Sequence, residues 1–373
     1  MVALKNEQGG DRPLNAIASR GHAVQQQTFL SHSLLTSGRP VSAATAARIA
    51  ETVYGLVGDI TVLAGEKDAN FRLRVGGRDY LLKIISPGDD PAFIDMHSRA
   101  LLHVAKTAPE MPVQRLVLTR KGEANHCESF GDEGDRSVRM VTFVEGSLQR
   151  GTPETATQRQ RAGAMLARLQ AALEGFRHPA ENTALTWDMK HAANLIPLAR
   201  DREDGARLTA ALAVFEREVL THLAELPQQM VHNDLNSDNI IVDSTDTDRV
   251  VGLIDFGDMV RTARVFDLVI GAAYQATEAQ DPLQAALDFA AGFLTERPLT
   301  AREWDAFIPA LRARMAMRII ITEARAELFP ENRSYILRNT PNARLQFDRL
   351  SRLDPDETQR CIAEILKSPE ATS

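Results

Sequence analysis

The sequence predicts an α+β chain of two lobes, a small antiparallel β-sheet lobe followed by a mainly helical one. Three observations predict it. The 373 residues exceed what one hydrophobic core usually serves. Runs that alternate apolar and polar residues crowd into residues 57–144. Beyond Gly146 helical spacing takes over, broken by a single β-like island, QMVHNDLNSDNIIVD…RVVGLIDFGD.

Residues 1–42 are rich in Gln, Ser, Gly and Arg without periodicity, and are expected to form a loosely ordered extension. A sheet lobe is expected over 43–144. From Ala43 the stretch AATAARIAETVYGL has helical spacing. The β-like runs ITVLAG, NFRLRV and DYLLKII follow, the last two joined by a tight turn at Gly76–Gly77. FIDMHSRALLHVAKTA reads as a long inserted helix, and QRLVLTR and SVRMVTFV complete a five-stranded antiparallel sheet. The polar GEANHCESFGDEGD between those two runs reads as an exposed hairpin loop. A helical lobe is expected over 145–373. Its first helix, TPETATQRQRAGAMLARLQAALEGF, opens with Thr152 as N-cap and a proline in the first turn. Residues 203–225 and 301–328 are further amphipathic helices.

Composition narrows the classes of function. At 44% hydrophobic and 25% charged the chain is ordinary globular protein. A net charge of −7 offers no overall field to attract a phosphate backbone or an anionic membrane, so neither partner is expected. Cys127 and Cys361 stand far apart, without disulfide-framework or zinc spacing, which points to a reducing cytoplasm. No apolar run approaches membrane-spanning length, and MVALKNEQGGDRPLN lacks a signal-peptide core. Nine scattered histidines show no metal-ligand spacing, so no transition metal is expected. Nothing selects between a monomer and a homodimer.

The island carries chemistry. His232, Asp234 and Asn239 stand in H-x-D-x-x-x-x-N, and Asp255-Phe256-Gly257 follows a second apolar strand. Phosphoryl transfer needs a carboxylate to orient and deprotonate an acceptor hydroxyl, and oxygen ligands for a Mg²⁺ that bridges nucleotide phosphates. Asp234 fits the base, and Asn239 and Asp255 fit the ligands. Polar turn residues between two strands are the bland reading, but the full spaced pattern is more than turns require. Lys83 in YLLKII lies on the strand after the glycine turn, where a phosphate-binding lysine belongs. The turn LAGEKDANFRL, with Gly65 and Asn70, lies one hairpin earlier and is placed to cover the phosphates.

Together these residues resemble the aminoglycoside phosphotransferase and choline kinase superfamily, over about residues 45–350. AGEKDANFRLRV, YLLKI, RMVTFVEGSL, HPAENTALTWDMKHA, VHNDLNSDNIIVD, VVGLIDFGDMV and LFPENRSYIL resemble its hydroxylysine kinase branch most. The resemblance implies the two-lobed protein-kinase-like fold, ATP or GTP as co-substrate with Mg²⁺, and a small amino alcohol or hydroxyamino acid as acceptor. It implies that Thr142 and Val144 present backbone groups to the purine. It also implies that His232 is structural and that Asp267, in VFDLVI, braces the catalytic loop.

Two departures stand out. Asn233 replaces the usual glycine, and Asn tolerates left-handed backbone angles. Arg99 occupies the helix position of the family's lysine-pairing glutamate, which leaves Lys83 to another carboxylate, with Asp95, one turn away, as a candidate, or held less tightly. Asp258, Glu323 and Glu327 are candidates to hold a cationic acceptor, although Glu323 and Glu327 also read as a solvated helix face. Kinases of the same fold for ethanolamine, choline, homoserine or an aminoglycoside compete with the hydroxylysine reading. A nucleotide-binding scaffold without activity competes from another class.

Overall fold

The computed structural model describes residues 38–65 and 67–367. The expected extension over 1–42 therefore lies almost entirely outside the described residues. Helix α1 (Ala43–Ile49) starts at Ser42, whose hydroxyl accepts the Thr45 N–H at 3.1 Å, and runs on as a π-helical turn over Ala50–Tyr54. Strands β1 (Asp59–Leu63), β2 (Ala69–Val75) and β3 (Arg78–Ile84) follow. Gly76 and Gly77 join β2 to β3 with φ of 56° and 82°, the left-handed pair that a two-residue hairpin turn requires. Helix α2 (Pro91–Thr107) is capped by Asp90 and has Pro91 in its first turn.

Strands β4 (Leu116–Val117), β5 (His126–Ser129) and β6 (Asp135–Thr142) complete a six-stranded sheet. Its order is β1-β2-β3-β6-β4, with β5 also paired to β6. The polar stretch expected to be an exposed loop thus contains a sixth strand. Its charged residues are satisfied at the edge, where Glu128 takes Arg48 and His126, and so the backbone there is free to pair with β6. On one face, Phe71, Leu73, Leu82, Ile84, Val138 and Met140 pack on Ala46, Ile49, Ala50 and Tyr54. On the other face the register aligns Asn70, Lys83 and Arg139 in one row across β2, β3 and β6.

Strand β7 (Ser147–Leu148) leads to helix α3 (Ala156–Ala172). Its N-cap is Thr155, not Thr152: the Thr155 hydroxyl accepts the Gln158 N–H, while Thr152 turns back to donate to the Gln149 carbonyl. Helix α4 (Gly205–Glu218) gives way to a 3₁₀ turn over Leu220–Glu225. Two short hairpin-like pairs follow. Strand β8 (Gln228–Val231) pairs with β11 (Val260–Ala263), and β9 (Ile240–Val242) pairs with β10 (Val250–Leu253). Helices α5 (Arg264–Glu278), α6 (Pro282–Leu294), α7 (Ala301–Leu328), α8 (Thr340–Ser351) and α9 (Pro355–Lys367) complete the chain.

The helical core centres on α3, α5, α6 and α7. Helices α3 and α6 cross closely because Gly163 lacks a side chain; a Cβ there would sit 1.9 Å from the Phe289 carbonyl oxygen. Helix α7 begins with a capping box between Thr300 and Glu303, and the buried Glu303 carboxylate also accepts from Arg264 at 2.6 and 2.8 Å. The sheet and the helices meet where Val113 bridges Leu253 and the Val144 side chain packs on Gly252. No helix among the described residues is long and apolar enough to cross a membrane.

Candidate active site

Two loops face the polar row of the sheet. The first, His232–Asn239, joins β8 to β9, and the second, Ile254–Met259, joins β10 to β11. Both are held in an unusual backbone shape: Asn233 has φ 66° and Asp255 has φ 62°. The left-handed angle anticipated for Asn233 is present. Such angles cost about 1–3 kcal/mol each for residues other than glycine, so the surroundings must enforce them.

The enforcing contacts are visible. Asp267, fully buried on α5, accepts the backbone N–H of Asn233 at 2.8 Å and of His232 at 3.3 Å, and a side-chain amide proton of Gln170. Burial raises the Asp267 pKa. His232 spans the two loops. Its Nε2 donates to the Ile254 carbonyl at 3.0 Å, and Nδ1 accepts the Asp234 N–H. Its edge also meets Phe256 at 5.0 Å. The Asp255 N–H goes to Gln114 Oε1 at 3.1 Å.

Asp234 is half-committed. Its Oδ2 accepts from Asn236 Nδ2 at 3.0 Å and Asn239 Nδ2 at 2.9 Å, while Oδ1 has no hydrogen bond to the described residues. Burial, and then the neighbouring Asp258 carboxylate, push its pKa well above the usual range. Burial and Asp255 likewise raise Asp258. Asn239 spends both amide protons on Asp234, which leaves its carbonyl oxygen for another partner.

Lys83 contacts Asp255 Oδ1 at 3.1 Å and Asp68 Oδ2 at 3.4 Å. Burial lowers the Lys83 pKa, but Asp255 and Asp68 outweigh it and leave the ammonium above its ordinary value. Lys83 in turn, against the opposing effect of burial, holds Asp255 down to about 2. The lysine's partner is therefore not Asp95. Asp95 instead pairs with exposed Arg99 and approaches His178, both at 3.4 Å. On α2 it is His97 that turns inward, and burial, with Arg139 and Lys83 nearby, keeps its ring neutral.

Asp68 belongs to the turn that contains Gly65 and Asn70. Ser86 N–H donates to Asp68 Oδ1 and Lys67 pairs with Asp89, which ties the turn down over the end of β3. Gly65 lies so close to Asn70 and the Asp68 carbonyl that a Cβ would clash, and Asn70 Oδ1 is buried without a partner. At the edge of the sheet, Arg115 N–H bonds the Thr142 hydroxyl rather than the Thr142 carbonyl, and Val144 follows two residues on.

Glu323 and Glu327 depart from expectation. Glu323 is paired with Arg202 at 3.0 Å and Arg344 at 2.5 Å, and Glu327 with Arg202 at 3.1 Å. Their charge is already compensated, so neither offers an acceptor a free carboxylate; of the three acids proposed for that task, Asp258 alone adjoins Asp234. Sequence reasoning missed Asp68, Gln114, Asn236 and two buried cations, Arg139 and Arg314. The cations did leave a signal, since each is a charge inside an apolar run, VRMV and ARMAM.

A carboxylate held ionised by a lysine and an amide oxygen not spent on hydrogen bonds, Asp255 and Asn239, suit a divalent cation bound through oxygen. Magnesium needs few protein ligands, because substrate phosphates and water supply the rest. Among the described residues no cluster of three His, Cys, Asp or Glu side chains forms a self-sufficient metal cage.

Residues 59–306 match the model of a family described as phosphotransferase enzymes. The chain is similar to the hydroxylysine kinase of Mus musculus, 28% identical over 335 residues that cover 81% of this chain and 87% of that one. It is similar to the homoserine kinase of Methylobacillus flagellatus, 27% identical over 277 residues, 72% of this chain and 80% of that one. Among solved structures it resembles the amicoumacin kinase hAmiN in complex with AMP-PNP, Ca²⁺ and Ami. That likeness has a TM-score of 0.65 at 14% identity, covering 85% of this chain and 97% of that one.

Proposed function

The chain belongs to the phosphotransferase enzyme family and is a small-molecule kinase, and we propose that it moves the γ-phosphoryl group of ATP or GTP, bound with Mg²⁺, to the hydroxyl of a small amino-bearing alcohol. The hydroxylysine kinases among its relatives make 5-hydroxylysine the first acceptor to test. The observation that carries the reading is the half-committed Asp234: Oδ2 is fixed by two asparagines and Oδ1 is unclaimed. A hydroxyl at Oδ1 is oriented for attack on phosphorus and gives its proton to Asp234 as the oxygen–phosphorus bond forms and the nucleoside diphosphate leaves. A raised pKa improves that proton acceptance.

Asp255 and the Asn239 carbonyl oxygen would hold Mg²⁺, which when bound neutralises phosphate charge. Lys83, drawn toward the cleft by Asp68 and Asp255, meets the phosphates from the sheet side, under the turn that carries Gly65 and Asn70. Thr142 and Val144 offer the purine a backbone carbonyl and N–H; the use of the Thr142 hydroxyl by Arg115 supports this. His232 and Asp267 hold the loop shape without touching substrate. Asp258 meets the acceptor's ammonium group. The two unpaired cysteines support a cytoplasmic location.

The test is nucleoside-diphosphate release from ATP and from GTP against 5-hydroxylysine, homoserine, ethanolamine, choline, an aminoglycoside and neutral diols. Release with an amino-bearing alcohol well above the diols is expected. Nucleotide binding without release on any acceptor would identify an inactive scaffold instead.

A further inference from the structure

Helix α7 carries a cation that the reaction described above does not use. Arg314 is 1% exposed, yet no carboxylate among the described residues forms an ion pair with it. Much of its guanidinium is spent, since Nη1 donates to the Trp187 carbonyl at 2.9 Å and the group also hydrogen-bonds the Tyr274 hydroxyl. The plane is held between two rings, with Trp187 at 5.0 Å and Tyr274 at 5.9 Å. Nε is buried with no hydrogen-bond partner. Arg318, one turn on, contrasts with it, because its Nη1 donates to the Thr277 hydroxyl and approaches the Ala273 carbonyl.

A buried guanidinium that no carboxylate contacts is costly, and an arginine fixed by stacking, one carbonyl and the Tyr274 hydroxyl is preorganised for a ligand on its remaining donor. That donor, the unpartnered Nε–H, suits a charge-assisted hydrogen bond to a carboxylate oxygen. The place is also specific. Arg314 is the cation whose field acts on Asp234, from the helical side of the site, whereas Lys83 serves Asp255 from the sheet side. The phosphates and the acceptor are thus served by different cations.

We propose that Arg314 binds the carboxylate of the acceptor, so that the substrate is a hydroxyamino acid and not a simple amino alcohol. The inference rests on the reading that the acceptor is an amino-bearing alcohol. In that arrangement the hydroxyl faces Asp234, the ammonium group meets Asp258, and the carboxylate lies on the Arg314 edge framed by Trp187 and Tyr274. Trp187 belongs to the HPAENTALTWDMKHA stretch, which gives that stretch a role in the acceptor site.

The experiment uses the full chain with Mg²⁺ and nucleotide and two acceptor pairs, each differing only in a carboxylate. These are 5-hydroxylysine with 1,5-diaminopentan-2-ol, and homoserine with 3-aminopropan-1-ol. For the better pair, kcat/KM is expected to favour the carboxylate-bearing member by about 10²–10³-fold, the scale of one buried charge-paired contact. Arg314→Met should lower kcat/KM on the hydroxyamino acid by a similar factor, mainly through KM, and much less on the decarboxylated partner. The preference then collapses while the nucleotide KM moves little. Arg314→Lys should restore part of it.

Equal use of both members by the wild-type chain would overturn the inference while leaving the amino-alcohol reading intact. Equal losses on both members in Arg314→Met would also overturn it and assign Arg314 to packing. If Arg314→Met does not fold, the wild-type comparison decides alone. Acceptance of neutral diols in place of every amino-bearing acceptor would sink the underlying reading and this inference together.

Discussion

Replacing Asp234 by Asn tests the assignment of the base most directly, because the structure allows the cost to be worked out in advance. The side chains are nearly isosteric. An asparagine oxygen still accepts from Asn236 and Asn239, now at 3.0 and 2.9 Å, and the loop bonds made by the Asp234 backbone survive. What is lost is the charge assistance of two hydrogen bonds, about 1 kcal/mol each. Relief of the like charge from Asp258 offsets part of that, so stability should change by less than about 2 kcal/mol.

Catalysis should suffer more. The new amide cannot take a proton, and its NH₂ occupies the place of the unclaimed Oδ1, presenting a donor where an acceptor stood. Loss of a positioned general base costs about 10²–10⁴-fold, or about 3–5 kcal/mol of barrier. The assay is kcat from coupled nucleoside-diphosphate release, with nucleotide affinity by calorimetry and Tm alongside. A kcat within threefold of wild type would show that the proton leaves without Asp234. A proportional loss of nucleotide affinity would show that the substitution disturbed the loop.

Three further outcomes are expected. Asp255→Ala should remove the Mg²⁺ dependence of nucleotide binding as well as turnover, since the neutral Asn239 cannot offset phosphate charge alone; calorimetric titration with and without Mg²⁺ checks it, and an unchanged Mg²⁺ response would refute the ligand role. Asp267→Ala strands two backbone N–H groups in a buried loop, at about 1–3 kcal/mol each, and should lower both the urea midpoint and kcat, whereas a wild-type midpoint would show that the loop holds its shape unaided. Asp79 is held well below the usual carboxylate range by hydrogen bonds from Arg74 and Arg72. A depressed carboxylate stabilises the fold above its unfolded pKa near 4 and loses that contribution as pH falls through the folded value. Asp79→Asn should therefore have a lower urea midpoint than wild type at pH 5, with the gap narrowing by pH 3; a gap that does not change with pH would remove the ion pairs from the account.

The local code determined a good deal on its own. Gly76–Gly77 between two alternating runs can hardly be anything but a tight hairpin, because both positions need positive φ. The spacing of His232, Asp234, Asn239 and Asp255 pointed to two loops that the structure brings together, since phosphoryl transfer asks for a base and oxygen ligands in a set order along the chain. Asn233 was legible as a left-handed position because few other residues accept one. The N-cap of α3 was misplaced by one turn because Thr152 and Thr155 are equally good caps locally, and only the Gln149 carbonyl decides which hydroxyl is free. Strand β5 was hidden for a similar reason: a polar edge strand pairs through its backbone, and its side chains need not alternate.

Charge pairing was decided by tertiary structure alone. Lys83 meets Asp68 rather than Asp95 because the turn before β2 folds back onto β3, a contact that helix periodicity on α2 cannot express. Glu323 and Glu327 look available on a helical wheel, yet Arg202 and Arg344 reach them from separate segments and neutralise them. Arg314 looks like one more surface cation until α5 and the segment containing Trp187 close over it. Whether a charge is spent or available depends on which distant partner arrives within a few ångströms. Coulomb interaction and desolvation act through space, and the order of residues along the chain specifies that distance only by way of the fold.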